Sequence, residues 1–250
     1  VTVAAAVPAF AADDKLASIK ESGQLRVCHA DYIPYNFKDP ESNTWQGTGV
    51  DLAENLAETM GVELVHVDAT WATVVQSILT DKCDISVAAT YITPERAEQV
   101  LYTDSVGSDT VTAFVHKDSD ASTYADLDQS GKTIGVWSGT LEEQTAETFF
   151  ENAEIKTIVT DTMSTLMLEV ANGRVDGIFA STAGPTGFII QNPNVPVRAV
   201  GEDPINPTPF AFMLPRGEYH LQQYLNIWID GLDQSGELQA IFDKWFKDNS

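Results

Sequence analysis

Two short stretches of this chain carry residue types that could hold a carboxylate. The first, residues 88–96, reads Ala-Ala-Thr-Tyr-Ile-Thr-Pro-Glu-Arg. Thr93 fits a helix N-cap, and Pro94 fits the first helical position, where a missing N–H costs nothing. Glu95 then lies in the first turn, where the helix dipole favours negative charge. Arg96 brings a planar fork of five donors to the same helix end as the exposed backbone N–H groups, an arrangement suited to an anion. The plainer alternative is a generic helix start with a solvated arginine. The second stretch, residues 138–143, reads Ser-Gly-Thr-Leu-Glu-Glu. Thr140 and Glu143 have the spacing of a capping box, and Gly139 lets the backbone approach a ligand closely. Alone, it reads equally well as a well-capped helix.

Other chemistries find less support. The four histidines, His29, His66, His116 and His220, form no Ser/His/Asp or Cys/His arrangement and have no paired spacing for a metal. No catalytic residue, metal or cofactor is expected.

The elements that must position these residues alternate in type. Strands are expected at Leu25–His29, Leu64–Val67 and Ile85–Ala88, with amphipathic helices from Gly49 to Met60 and from Thr73 to Leu79 between them. After a strand at Thr110–Val115 and a polar spacer at Lys117–Tyr124, a second series follows. It comprises strand Thr133–Trp137, helix Leu141–Phe150, strand Ile155–Val159, helix Met163–Asn172 and strand Gly177–Ala180. Extended segments at Pro196–Val200 and Pro209–Leu214 precede two closing helices, Glu218–Gln234 and Glu237–Phe246. Such alternation predicts βαβ units, parallel sheets and an α/β fold.

Composition narrows the function classes. The net charge of −23, with only 14 Lys plus Arg, argues against nucleic acid and anionic membrane surfaces as partners. Residues 1–12 read as the end of a secretory signal peptide, with small residues at Ala9 and Ala11 and cleavage expected before Ala12. No cysteine follows that point closely, so no lipid anchor is expected, and no apolar run reaches the length of a membrane span. A soluble, periplasmic protein follows. An oxidising compartment permits a bridge between Cys28 and Cys83, with two buried thiols as the alternative.

Residues 88–96 resemble the carboxylate-binding loop of the bacterial extracellular solute-binding proteins, family 3, which serve polar amino-acid ABC transporters. The resemblance runs from about Leu16 to Phe246. It is carried also by Gly-Val-Asp-Leu-Ala-Glu at 49–54, Trp71 ahead of Lys-Cys-Asp-Ile at 82–85, Gly-Arg-Val-Asp-Gly-Ile at 173–178, and Gln-Ala-Ile-Phe-Asp-Lys-Trp-Phe at 239–246. It implies the two-lobed, type II periplasmic binding protein fold, each lobe a mixed, mainly parallel sheet flanked by helices, joined by two hinge strands. Lobe 1 would comprise residues 13–108 plus 206–250 and lobe 2 residues 109–205, with crossings near Val106–Thr110 and Asp203–Asn206. Cys28 and Cys83 would then lie on neighbouring strands.

The resemblance also assigns roles. Arg96 would anchor a ligand carboxylate, with Thr140 and its neighbouring backbone donors reaching it across the cleft. Tyr32 and Trp71 would sandwich the ligand side chain, Ala89 would offer backbone contacts, and Trp137 could add a ring. Tyr91 stands where the family usually has Ser or Thr. Ser181 stands where amino-acid binders usually carry an Asp that pairs with the α-ammonium, and His29 where an Asp is common, with Asp31 two residues on. The ligand would therefore be a carboxylate with a methylated or cyclic amine, an aromatic acid, or an ordinary amino acid whose ammonium meets Asp31 or another carboxylate that the sequence does not locate. The implied partners are this small molecule and an inner-membrane ABC permease, and the protein would act as a monomer. Two alternatives share the fold: a cyclohexadienyl dehydratase, with Asp31 or His29 as general acid, and a ligand sensor for a signalling receptor.

Overall fold

The computed structural model describes residues 14–246; the expected signal-peptide remnant lies outside them. The first series comprises α1 (Lys15–Ser22), β1 (Gln24–His29), β2 (Phe37–Lys38), β3 (Trp45–Gln46), α2 (Thr48–Met60), β4 (Glu63–Asp68), α3 (Val74–Leu79), β5 (Ile85–Tyr91), α4 (Pro94–Ala97) and β6 (Val100–Tyr102). A long strand, β7 (Gly107–His116), leads to the second series. This holds α5 (Tyr124–Leu127), β8 (Thr133–Trp137), α6 (Leu141–Phe149), β9 (Glu154–Ile158), α7 (Met163–Ala171), β10 (Gly177–Ser181), α8 (Ala183–Gln191) and β11 (Val197–Ala199). The long strand β12 (Ile205–Pro215) returns to the first series, and α9 (Tyr219–Ser235) and α10 (Glu237–Phe246) follow.

The sheet order is β4-β1-β5-β12-β7-β10-β8-β9, with β6 on β12 and β11 on β7. Within each half the neighbours β1–β4, β1–β5, β10–β8 and β8–β9 run parallel. The long strands join the halves: β12 pairs antiparallel with β5 at one end and with Gly107–Val111 of β7 at the other. A mixed sheet flanked by helices, in two halves joined by two strands, is the α/β architecture read from the alternation of elements.

Burial follows from sequence. Every residue of β5 is buried, as befits a central strand covered on both faces. Val50, Ala53, Leu56, Ala57 and Met60 form the inward stripe of α2, and Gly61, at φ 67°, ends the helix in the left-handed conformation that a side chain resists. Cys28 and Cys83 form a disulfide, with Cα atoms 5.6 Å apart, so the two-thiol alternative is excluded.

Four expectations need correction. The strand from Ile85 does not end at Ala88; it continues to Tyr91 because β12 supplies partners there, Phe210 opposite Tyr91 and Ala211 opposite Thr90. Between Ala211 and Met213 the register shifts, and Ala89 adopts φ 51°. This bulge turns the strand end toward the ligand-facing side. The helix after Thr93 is only one turn, Pro94–Ala97. Helix α8 was not anticipated, since Gly184, Pro185 and Gly187 depress helix propensity. Its glycines serve packing: a Cβ on Gly184 would come within 2.7 Å of Tyr32, and one on Gly187 within 2.8 Å of Ile33. The polar spacer also holds an element, since Thr123 and Asp126 form a capping box that starts α5.

Candidate functional site

The bulged end of β5 and the turn of α4 present Arg96. Thr93 caps α4 by accepting from the Arg96 N–H, as the sequence predicts. The guanidinium reaches in two directions: Nη1 donates to the Tyr91 carbonyl at 3.2 Å, and Nη2 donates across the cleft to the Gly139 carbonyl at 3.0 Å. Among the described residues Arg96 makes no ion pair; carbonyl oxygens accept from both its terminal nitrogens, and the buried Glu142 carboxyl lies close enough to feel its charge.

The facing motif lies between β8 and α6. Thr140 caps α6, accepting from the Glu143 N–H and donating to the Trp137 carbonyl at 2.7 Å. The capping box read from sequence is displaced by one residue: the Glu143 carboxylate accepts from the Gly139 N–H at 2.7 Å rather than from Thr140. Gly139 sits at φ 83°, and a Cβ there would meet the backbone of Trp71 and Ala72 at 2.7 Å. The two halves are in close contact here.

Between them lies a cavity of about 30 Å³, room for roughly two waters. Its wall brings together eight of the ten residues singled out from the sequence: Tyr32, Trp71, Ala89, Tyr91, Arg96, Trp137, Thr140 and Ser181. The rings meet edge to face rather than as a parallel sandwich, with Tyr32–Trp71 centroids 5.8 Å apart and Trp71–Trp137 centroids 6.4 Å apart. Tyr91 is 6 % exposed, and its hydroxyl has no hydrogen-bond partner among the described residues. Met163, Leu166 and Phe179 complete an apolar floor.

The other two residues lie elsewhere. Asp31 accepts from the Met163 N–H at 2.8 Å, tying the first half to the start of α7, and lines a separate depression with Trp45, Asp68 and Asp161. Burial pushes its carboxyl up to about 6, with the Met163 hydrogen bond pulling the other way. His29 is fully buried behind the Tyr32–Asn36 loop, because β1 carries its side chain into the core. Asn36 donates to the Val87 carbonyl, which leaves its oxygen to accept from His29 Nδ1 at 2.9 Å. His29 Nε2 then accepts from His66 Nδ1 at 2.9 Å. Burial lowers His29 to about 4. It supports the loop and does not face the cavity.

Sequence reasoning missed two acids. Glu142, at the start of α6, is 4 % exposed and lines the cavity; burial raises its pKa against the lowering influence of its own backbone N–H and Thr140. Asp109 of β7 accepts from the Tyr32 hydroxyl and from the Thr110 and Ala183 N–H groups, and burial also raises it. The local signal at Glu142 was ambiguous, since an acid in a first helical turn already has an explanation.

The chain matches the bacterial extracellular solute-binding proteins, family 3, over residues 12–248, and it belongs to that family. A putative ABC transporter arginine-binding protein of Escherichia coli K12 is 29 % identical over 223 residues, 87 % of this chain and 88 % of that protein. A cyclohexadienyl dehydratase of Pseudomonas aeruginosa is 27 % identical over 240 residues, 95 % of this chain and 88 % of that enzyme. Among solved structures, a mutant of ArgBP from T. maritima superposes with a TM-score of 0.84 at 30 % identity, covering 93 % of this chain and 99 % of that one. The type II periplasmic binding protein fold is thus established for this chain.

Proposed function

We propose that this protein captures a small, carboxylate-bearing, amino-acid-like molecule between its two lobes by hinge closure and delivers it to an ABC permease. The observation that carries this is Arg96, which among the described residues is hydrogen-bonded to carbonyl oxygens and to no carboxylate, and which reaches across the cleft to the facing lobe. A ligand carboxylate would replace the carbonyl contacts with charge-assisted ones, each worth roughly 1.5–3 kcal/mol. We place the hinge where β7 and β12 pair, with lobe 1 at 13–108 plus 206–250 and lobe 2 at 109–205. Residues such as Tyr32, Trp71 and Trp137 would clasp the ligand body. Relatives named for arginine binding in ABC transport support the transport role. In this reading the protein is a periplasmic monomer released from a signal peptide; no helix of the described residues is long and apolar enough to cross a membrane.

The test is a thermal-shift screen on ligand-stripped protein with amino acids, betaines and aromatic acids. A binder at 100 times its Kd should stabilise by about 2.7 kcal/mol. In Arg96→Ala the shift should vanish for every carboxylate, while the ligand-free melting temperature stays within a few degrees. Retained binding in that variant would remove the anchor.

One observation favours a second reading. Glu142 is a buried carboxyl held toward its protonated form at the wall of a cavity that also holds an anion-binding arginine. A general acid needs this setting. A dehydratase acting on a carboxylated cyclohexadienyl ring would use it to protonate a ring hydroxyl, which leaves as water while the ring carboxylate leaves as carbon dioxide and its bonding pair completes the aromatic ring. Ultraviolet monitoring of a cyclohexadienyl acid decides this: turnover that disappears in Glu142→Gln would establish the enzyme, and an unchanged spectrum would exclude it.

A further inference from the structure

The cavity wall holds one cation and one acid. Among the described residues Arg96 is the only basic and Glu142 the only acidic residue that line it. Position 181 offers only a hydroxyl, buried at the end of β10. The other acids nearby are already engaged, Asp109 with Tyr32, Thr110 and Ala183, and Asp31 with Met163. Beside Glu142 the buried Tyr91 hydroxyl lacks a partner.

We propose that Glu142, not the residue at 181, receives the ligand's ammonium while Arg96 holds its carboxylate, so that the ligand is a zwitterion of no net charge with an apolar side chain. This deepens the solute-binding reading and rests on it. The charge count excludes a second cation on the ligand, because no further carboxylate faces the cavity among the described residues. The remaining wall, Trp71, Trp137, Leu166 and Phe179, suits an apolar body. An ammonium with N–H donors also satisfies two acceptors at once, Glu142 and the Tyr91 oxygen. A quaternary nitrogen supplies neither bond.

The pairing has a proton consequence. Glu142 faces Arg96, which favours its ionised form, and Asp109 and Tyr91, whose burial beside it disfavours added negative charge. Tyr32 lies next to both and is itself held neutral by burial. Burial dominates, so Glu142 gains a proton more readily than a carboxyl in water. An arriving ammonium reverses this balance and displaces the proton at any pH where Glu142 carries one.

Isothermal titration calorimetry tests the proposal with L-leucine, L-phenylalanine, L-proline, L-arginine, glycine betaine and phenylacetate, each in phosphate and in Tris near neutral pH. Expected are binding of the apolar zwitterions ahead of L-arginine, betaine and phenylacetate, and a buffer-dependent heat that reports proton release. Glu142→Gln should weaken the zwitterions roughly ten- to hundredfold, abolish that release and leave phenylacetate binding little changed. The wild-type buffer dependence stands as a readout even if the variant folds poorly. Zwitterion binding without proton release and unaffected by Glu142→Gln would overturn the proposal, as would tighter binding of L-arginine or betaine. In those cases binding that still depends on Arg96 leaves the solute-binding reading intact. If nothing in the panel binds, the zwitterion proposal falls, and the solute-binding reading is decided separately by the wider Arg96-dependent thermal-shift screen.

Discussion

Gly139→Ala should lower ligand affinity without touching the ligand. At φ 83° the new methyl would sit 2.7 Å from the backbone of Ala72 and Trp71 across the cleft, where ordinary contact begins at 3.4 Å. Backbone cannot swing aside as a flexible side chain does, so the lobes must part by about 0.7 Å to restore normal contact. That displacement stretches the Arg96–Gly139 bridge from 3.0 Å and the Asp31–Met163 bridge from 2.8 Å to or beyond the limit of a hydrogen bond. The Arg96 contact is the one a ligand carboxylate replaces, so the loss that counts in the complex is the Asp31–Met163 bond; with Asp31 ionised it is worth roughly 1.5–3 kcal/mol, and binding weakens about ten- to hundredfold. A left-handed alanine costs a further 1–2 kcal/mol, roughly, but in the open and closed forms alike. The strain therefore appears in the ligand-free melting temperature, and the wedge appears in the affinity. Calorimetry with the tightest ligand from the screen reads the second, and small-angle scattering of the saturated complex reads the wider cleft. An affinity within twofold of wild type would refute the reasoning, since the lobes would then close without this approach.

Three other outcomes follow from the same geometry. Replacing both Cys28 and Cys83 by Ser frees a loop 55 residues long and should cost about 4 kcal/mol in denaturant unfolding; an unchanged midpoint would mean the bridge constrains nothing. Asp31 is raised to about 6 in the fold, so its contribution is fully present below about 3.8 and is lost as pH rises through 6; Asp31→Asn should thus stabilise at pH 7 by up to roughly 3 kcal/mol and not at pH 3.5. His29 has the opposite sign: lowered to about 4, it contributes fully above 6.5 and loses roughly 3 kcal/mol as pH falls through 4, a loss that His29→Gln should abolish in acid unfolding curves. The two slopes oppose each other between pH 4 and 6, and a variant at either position that leaves the wild-type profile unchanged would refute its assignment.

The fold was legible where local rules act. The caps at Thr93, Thr140 and Gly61 and the apolar stripe of α2 locate their elements without tertiary information. The failures lie where a partner decides. Thr90 and Tyr91 are good strand formers by type, but the strand reaches them past the left-handed Ala89 only because β12 pairs with them, and that partner is not visible locally. Gly184 and Gly187 argue against a helix until Tyr32 and Ile33 need the space that their missing side chains leave. The resemblance puts His29 near the cleft, at a position where an Asp is common, but strand alternation and the Asn36 contact turn it to the core.

The same division explains the site. Arg96, Gly139 and Thr140 owe their positions to helix starts, and helix starts are written in short motifs. The acid that sets the ligand's charge is not. At the second position of α6 a glutamate in water would be ionised and favoured by the dipole, and read from sequence Glu142 is an ordinary first-turn acid. Packed against Tyr91 and Asp109, the carboxyl instead loses more to desolvation than Arg96 and the helix end return. Its raised pKa is thus a property of the packed cavity wall rather than of α6. The departure at Ser181, which from sequence alone looked like the loss of an ammonium partner, becomes a change of position: the carboxylate comes from the helix start opposite, and its charge is called up by the ligand that needs it.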